Sequence, residues 1–424
     1  MAGELSESPG KQTVRAAPFA PGVVRLTSYE DISFALRSPD FRVPLDRFPG
    51  DISGDILVAL HGDEHLARRR LEYPLFSSKS LVEYDQELLK PIVQSFRDRC
   101  NSVASQGQHL EFDLVHFGLT TIARIGAAIT GIDGADSEAD AADLVRLVKR
   151  MAAGQNISWL VDKAAAERVM DDARVAQREF IDRFYRASAR QRQAEVGQWR
   201  RGQLTSDRLR RDLLSVMFAD WHDDWDPDLP VRETFNYLNA SIGTSTRVLC
   251  NCFDEIADWA LEHPDRAADL ADPGFIRGAI EETLRLHVVL PAIIREVTAD
   301  TLLPSGVGVR SGATVALMFA EANRSERIFG EDSEKFDPDR PSRIPLGRAY
   351  GLAFGGGPHM CMGRRLAIGG PAPDPELRTN GTVPTLLQIL MQVRAKRIPG
   401  GAVRTTDTYY DEFAVYPVRV PPTS

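Results

Sequence analysis

Cysteine is scarce in this chain: 424 residues hold four, at Cys100, Cys250, Cys252 and Cys361. Four thiols so scattered exclude a disulfide framework, and no pair has the C-x2-C spacing of a structural zinc site. Cys250 and Cys252 stand two apart in a helical stretch, point to different faces and read as core residues. Positive charge is not in excess either. Lysine and arginine number 51 against 60 aspartates and glutamates, a formal net charge of −9, which argues against a phosphate-backbone partner. No run approaches the roughly 18 consecutive apolar residues of a membrane-spanning helix. Residues 1–22, MAGELSESPGKQTVRAAPFAPG, lack the apolar centre of a secretion signal and read as a flexible lead-in. No internal repeat or low-complexity tract stands out. The expectation from these absences is a reduced, cytoplasmic protein with no nucleic-acid and no membrane partner.

Hydrophobic residues make up 43% of the chain and charged residues 26%, a mix that folds into globular structure. Length alone suggests two or three domains. Apolar periodicity predicts helices over about 62–75, 85–105, 113–131, 138–153, 162–197, 205–219, 231–262 and 273–287. The 162–197 stretch is heavily charged on one side, which should face water. The 231–262 stretch carries a single charge, Arg247, between Asn236 and Phe253, so it should cross the core. Beyond residue 288 the pattern shortens into candidate strands, VVLPAII, GVGVR and TVALMF, with Gly/Pro/Asp loops at 48–55 and 369–381. The fold class is mainly α with small β-sheets.

The segment with the most chemical content is Phe354-Gly-Gly-Gly-Pro-His-Met-Cys-Met-Gly-Arg-Arg-Leu-Ala367. Its glycines and proline make a loop that can be neither helix nor central strand. Helix-compatible residues begin just after Cys361, so the sulfur should sit near a helix N-terminus, where N–H groups and the dipole favour a thiolate. Such a thiolate binds a metal or acts as a nucleophile, with His359 a neighbouring base. Glycines beside the sulfur, Gly355 and Gly363 among them, let backbone approach a large flat ligand. A phosphate-binding loop is excluded: Met360 stands where the last glycine is needed and no Gly-Lys-Ser/Thr follows.

This segment resembles the haem-binding signature of the cytochrome P450 family, F-x-x-G-x-H-x-C-x-G-x-x-L-A. The resemblance implies that Cys361 is the axial ligand of the iron of haem b (iron protoporphyrin IX). It also implies that Phe354 packs by the haem near the sulfur and that His359 reaches a propionate. Thiolate ligation favours O–O cleavage. Glu282-Thr-Leu-Arg285 resembles the family's E-x-x-R motif, a buried structural pair joined by a later arginine. Ala322-Asn-Arg324 and Phe336-Asp-Pro-Asp-Arg340 resemble the segments that follow, making Arg340 the third member. His65 and Arg69, four apart on one helix face, resemble the family's propionate-binding pair, and Arg295 in LPAIIREV resembles its strand arginine. The likeness runs from about Leu26 to Val420, with Pro417–Val420 as the closing strand, and implies one α-rich domain over 23–424.

Two departures stand out. The family's central helix carries [A/G]-G-x-[D/E]-T beside the oxygen site. Here the stretch is Ala240-Ser-Ile-Gly-Thr-Ser-Thr-Arg247. The best fit places Gly243 and Thr246 on the Gly and Thr, with Ser245 in place of the acid. Counting back from His263-Pro264 requires about two inserted residues for that register, and Thr244 is the alternative. Second, Ile368-Gly-Gly-Pro-Ala-Pro-Asp374 breaks the helix that should follow the cysteine, and a helical pattern resumes near Pro384. That insertion of about a dozen residues should lie near the face where an electron donor docks. The function implied is a monooxygenase that uses O2 and electrons from a ferredoxin- or flavodoxin-type protein. Its substrate would be a mostly apolar small molecule, such as a secondary metabolite. The alternatives are peroxide-driven oxidation, oxidative coupling or rearrangement, and a haem-binding scaffold for a partner enzyme. Pocket segments by resemblance are Ile52–Leu60, Ile157–Met170, Asn239–Gly243, Val288–Ile293 and Glu412–Val415.

Overall fold

The computed structural model describes residues 22–45, 48–155, 163–345, 347–372, 374–405 and 410–422. A 34-residue helix, Leu229–Glu262, is its axis, about 50 Å long at 1.5 Å per residue. The near absence of charge in its middle lets it run through the core, burying Leu238, Ile242, Leu249, Phe253 and Ile256. The Leu114–Thr130 helix lies against it. That helix begins where Asp113 accepts a hydrogen bond from the Val115 N–H and ends at Gly131 with φ 86°, a left-handed cap open to glycine. The two helices approach closely at Gly118, where a Cβ would stand 2.9 Å from Thr246 Cγ2. Cys100, Cys250 and Cys252 are buried in this core.

Small sheets close the periphery. One orders its strands Val24–Leu26, Thr314–Leu317, Ile293–Val297, Phe41–Arg42, the first pair parallel and the rest antiparallel. Another sets Pro417–Val420 between Leu110–Asp113 and Lys396–Arg397, so the end of the chain ties down the start of the Leu114–Thr130 helix. No helix among the described residues is long and apolar enough to cross a membrane.

Several sequence boundaries move for local reasons. The 62–75 helix stops at Glu72 because Pro74 turns the next residues into a tight 3-10 turn. The 205–219 helix shrinks to Leu213–Ala219. Asp212 caps it from a fixed place, accepting from the Ser215 N–H at 2.8 Å while Arg192 holds its other oxygen at 2.7 Å. The charged 162–197 stretch is two helices, Lys163–Phe180 and Arg186–Arg200, joined by a π-turn, with exposed ion pairs such as Arg174–Asp51. VVLPAII extends only from Ile293.

The helix after the cysteine loop spans only Arg364–Ile368, and its continuation is Thr382–Gln392. Between them the chain makes an excursion whose two ends touch. A Cβ on Gly381 (φ 88°) would lie 2.2 Å from Gly369 N, and one on Gly369 (φ 69°) 2.4 Å from Asn380 O. Both positions therefore admit glycine alone. The excursion's single turn, Pro375–Leu377, packs on the Ser78–Tyr84 helix.

Beside the central helix, Pro273–Leu286 carries a sealed ionic cluster. Glu282 and Arg285 are fully buried and Arg340 is 3% exposed. Arg285 donates to both Glu282 oxygens at 2.8 and 2.6 Å, and Arg340 Nε adds a third bond at 2.9 Å. The remaining guanidinium hydrogens of Arg285 reach Asn323 O and Ser333 O at 2.9 and 2.6 Å. Breaking such a cluster costs about 3–5 kcal/mol because a charge is left uncompensated. Glu282→Ala strands two buried guanidinium groups, and chemical denaturation should show a loss of that size. An unchanged midpoint would mean that the cluster carries no stability.

Candidate functional site

The cysteine loop is folded by its glycines. Gly357 (φ 63°) lies so close to the end of the Tyr29–Ala35 helix that a Cβ would fall 2.1 Å from Leu36 O. Gly355 (φ 65°) turns the chain after its N–H binds Leu352 O at 2.8 Å. The loop closes where the Cys361 N–H donates to Phe354 O at 3.0 Å. Cys361 retains accessible surface although protein surrounds it, because its sulfur opens into a cavity of about 300 Å³. Phe354, His359 and Gly363 line the same cavity. Gly355 faces open space, with no atom nearer than 4.0 Å to its Cβ position.

The sulfur departs from one expectation. Burial raises the Cys361 thiol above its ordinary range, and this outweighs the N–H groups of Gly363 and Arg364 and the charges of Arg69 and Arg364. A five-residue helix supplies little dipole, and a thiol in a dry cavity keeps its proton until a cation displaces it.

Around the sulfur, basic groups converge. The rings of His65 and His359 stack with centroids 4.1 Å apart, and His61 meets His359 edge-on at 5.9 Å. Arg69 Nη2 donates to Met360 O at 2.6 Å, and Arg295 finds only its neighbour's carbonyl, Ile294 O, at 2.8 Å. Burial pulls Arg295 down to about 10. His359 falls to about 3, through burial first and then the charges of His65, Arg295, His61 and Arg69. Neither Arg69 nor Arg295 has a carboxylate of the described residues within ion-pair distance. Desolvated cations without an anion fit a ligand that brings its own carboxylates. His61 escaped the sequence reading, although it stands four residues before His65, as His65 does before Arg69.

The central helix presents Ala240, Ser241, Thr244 and Ser245 to the cavity. Thr246 does not reach it. Its hydroxyl donates to Ile242 O at 2.8 Å and its methyl packs on Gly118. Gly243 is also turned away, toward Arg247 Nη2. The favoured register is corrected accordingly: the helix runs unbroken, with no bulge for two inserted residues, and Ser241, Thr244 and Ser245 are its hydroxyls at the cavity. Arg247 instead donates to Glu412 Oε2 at 2.7 Å and Val289 O at 3.4 Å, and stacks 4.2 Å over Tyr410. This draws Val288–Ile293 and Glu412–Val415 onto the helix, and neither segment lines the cavity. Leu57 and Val58 do line it, from the expected Ile52–Leu60 segment. Of Ile157–Met170, residues 157–162 lie outside the described residues and the rest are not at the cavity. Phe76, Ile122, Ile125, Ile129, Asn236 and Tyr237 line it unanticipated. The isoleucines form an i, i+3, i+7 stripe with the same signature as any core-facing helix.

Comparison with known proteins gives this geometry a context. Cytochrome P450 52A6 of Candida tropicalis is 35% identical over 105 residues, covering 22% of this chain and 20% of that protein. The mycinamicin VIII C21 methyl hydroxylase of Micromonospora griseorubida is 35% identical over 108 residues, 25% of this chain and 26% of that one. The chain thus matches about a fifth to a quarter of the length of these curated relatives. The crystal structure of CalO2 superposes with a TM-score of 0.69 at 20% identity, over 96% of this chain and 92% of that one, and shows a shared fold. The sequence profile of the cytochrome P450 family matches residues 149–369, more than half of the molecule. A cysteine loop opening on a cavity edged by Arg69 and two imidazoles is thereby joined to a family match that takes in the central helix, the buried ionic cluster and the cysteine loop itself, and the chain belongs to the cytochrome P450 family.

Proposed function

We propose that this chain, one unit over residues 23–424, is a cytoplasmic haem-dependent monooxygenase. Its substrate would be a small, mostly apolar organic molecule, with secondary metabolites the leading class. The family carries a haem-thiolate cofactor, and the residues present fit it. The observation that carries the reading is the Cys361 sulfur sharing its cavity with His65, Arg69 and His359, with Arg295 behind His359: two guanidinium groups without carboxylate partners and two imidazoles that burial keeps neutral as hydrogen-bond donors. Haem b brings two propionates, which these four residues would hold, with Phe354, Gly355 and Gly363 against the ring. When bound, the haem supplies O2 reduction and transfer of one oxygen atom, with the thiolate pushing electron density onto iron.

The chain's own contribution is shape, dryness and protons. Leu57, Val58, Phe76 and the isoleucine stripe make the cavity apolar, which suits an apolar substrate. The Micromonospora relative is, by its name, a methyl hydroxylase, in keeping with a tailoring role. Thr244 binds Ala240 O at 2.5 Å and can release that bond to pass a proton. Electrons would come from a ferredoxin- or flavodoxin-type protein. A second reading, peroxide-driven oxidation or oxidative coupling, draws support from the lack of a carboxylate among the central-helix residues at the cavity. Turnover with O2 and a reductase, set against turnover with peroxide, separates the two.

Three outcomes are expected. The reduced carbon monoxide adduct should show the red-shifted Soret band of thiolate haem and lose it in Cys361→Ala; an unaltered spectrum would refute the ligand assignment. Arg295→Met should act in opposite directions on the two forms. It should weaken haem retention, yet raise the stability of haem-free protein by about 1 kcal/mol or more, because a buried uncompensated ion is removed. Denaturation of both forms checks the sign. Thr244→Ala should lower product per electron, since a relay group is worth about 10²–10⁴-fold in a proton-transfer step, whereas Thr246→Ala should leave coupling unchanged. The reverse pattern would restore the discarded register.

A further inference from the structure

Two consecutive polar residues of the central helix, Asn236 and Tyr237, line the cavity, and each is backed by a fully buried glutamate. Asn236 Nδ2 donates to Glu233 Oε1 at 2.9 Å. The Tyr237 hydroxyl stands 2.6 Å from Glu72 Oε2, on the last residue of the Gly62–Glu72 helix. The glutamates are not equivalent. Glu233 also accepts the Leu57 N–H at 2.9 Å and faces Arg68 Nη1 at 3.6 Å. Glu72 has Tyr237 alone, and its Oε1 is buried without a hydrogen-bond partner. A carboxylate kept for structure is normally satisfied at both oxygens, as Glu282 is.

We propose that Glu72 and Tyr237 form a proton relay into the cavity, with Glu72 the acid that the central helix lacks there. The inference rests on the oxygen-using reading above. Burial, then the charge of Glu233, holds the Glu72 carboxyl well above the ordinary range. Burial raises Glu233 too, but Arg68, Asn236 and the Leu57 N–H favour its charged form, so of the two neighbouring carboxyls Glu72 is the one that holds its proton more tightly. At 2.6 Å the hydrogen can sit on either oxygen. Glu72 passes its proton to Tyr237 Oη as Tyr237 passes its own hydrogen to a water molecule in the cavity. One O–H bond breaks and one forms at Tyr237, no electron changes hands, and the Glu72 carboxylate regains its proton from bulk water through its unpartnered Oε1, at the end of a helix whose next residue, Tyr73, is exposed. The charged and titratable groups facing Glu72 are Glu233 and Tyr237 from the central helix and Arg68 and Arg69 from its own.

Glu72→Gln keeps the shape and hydrogen bonding but cannot release a proton, and Tyr237→Phe cuts the next step. In haem-loaded protein near pH 7, infrared difference spectra should show the carbonyl stretch of a protonated carboxylic acid in the wild type. The band should vanish in Glu72→Gln and shift in Tyr237→Phe. Product per electron should fall about tenfold or more in each variant, and the double variant should be no worse than either alone. Haem content and the carbon monoxide spectrum should match the wild type, which a merely structural loss would not allow. Wild-type coupling should decline as pH rises through the Glu72 titration, and Glu72→Gln should remove that limb. An ionised Glu72 in the infrared, or wild-type coupling in both variants, overturns the relay alone. A wild-type protein that makes no product from O2 overturns the underlying reading and the relay with it.

Discussion

A guanidinium group sealed from water must find acceptors for all its hydrogens, and the position of the sulfur follows from how Arg285 does so. Its bonds to Glu282, Asn323 O and Ser333 O fix the turn at Asn323. The Asn323 side chain then accepts the Leu352 N–H at 2.8 Å, and Gly351 leaves room for it. Leu352 O holds Gly355, and Phe354 O holds Cys361. Three neutral hydrogen bonds thus carry the rigidity of a buried ionic cluster to a loop whose first turn is three consecutive glycines. The interior makes the cluster stiff because every alternative leaves a charge or a donor unpaired.

The molecule contains a second gathering of buried cations, and the contrast between the two separates structure from function. Arg285 and Arg340 are neutralised in place by Glu282. Arg295 and Arg69 are not neutralised by any described residue, and burial, with the charges around it, holds the His359 imidazole neutral, at about 3. A fold tolerates such an arrangement only if something else compensates it, and two carboxylates on a flat apolar ligand would do so. The neutral, raised thiol of Cys361 belongs to the same logic: it holds no charge that would have to be desolvated before a metal arrives.

What the sequence made legible was local chemistry. The cysteine loop, the Glu282–Arg285 spacing and the uncharged centre of the long helix are patterns within some fifteen residues, and each sits where its pattern implied. Rotation of a helix about its axis is another matter. Thr244, Ser245 and Thr246 differ by 100° per residue, and only the packing of Thr246 on Gly118 decides which faces the cavity. Glu72 was equally hidden. Within DEHLARRRLEY it reads as one more charge on a solvated helix, and its burial arises from the central helix lying across it, 165 residues later in sequence.

These hidden features converge on one point of chemistry. The central helix carries hydroxyls, Ser245 among them, where the family places a carboxylate, and Arg247 two residues beyond Ser245 is engaged by Glu412 and the Val289 carbonyl rather than by the cavity. A cation there would oppose proton delivery, and its pairing away from the cavity removes that opposition. The same pairing pulls two segments inward and leaves the isoleucine face of the Leu114–Thr130 helix as a wall. Once the oxygen-site stretch has no acid, a proton source must lie elsewhere on the cavity wall, and the wall offers few ionisable groups backed by buried carboxyls. Local rules fail together here, and failures that cluster at one cavity are the mark of a site where sequence has been fitted to chemistry at the expense of pattern.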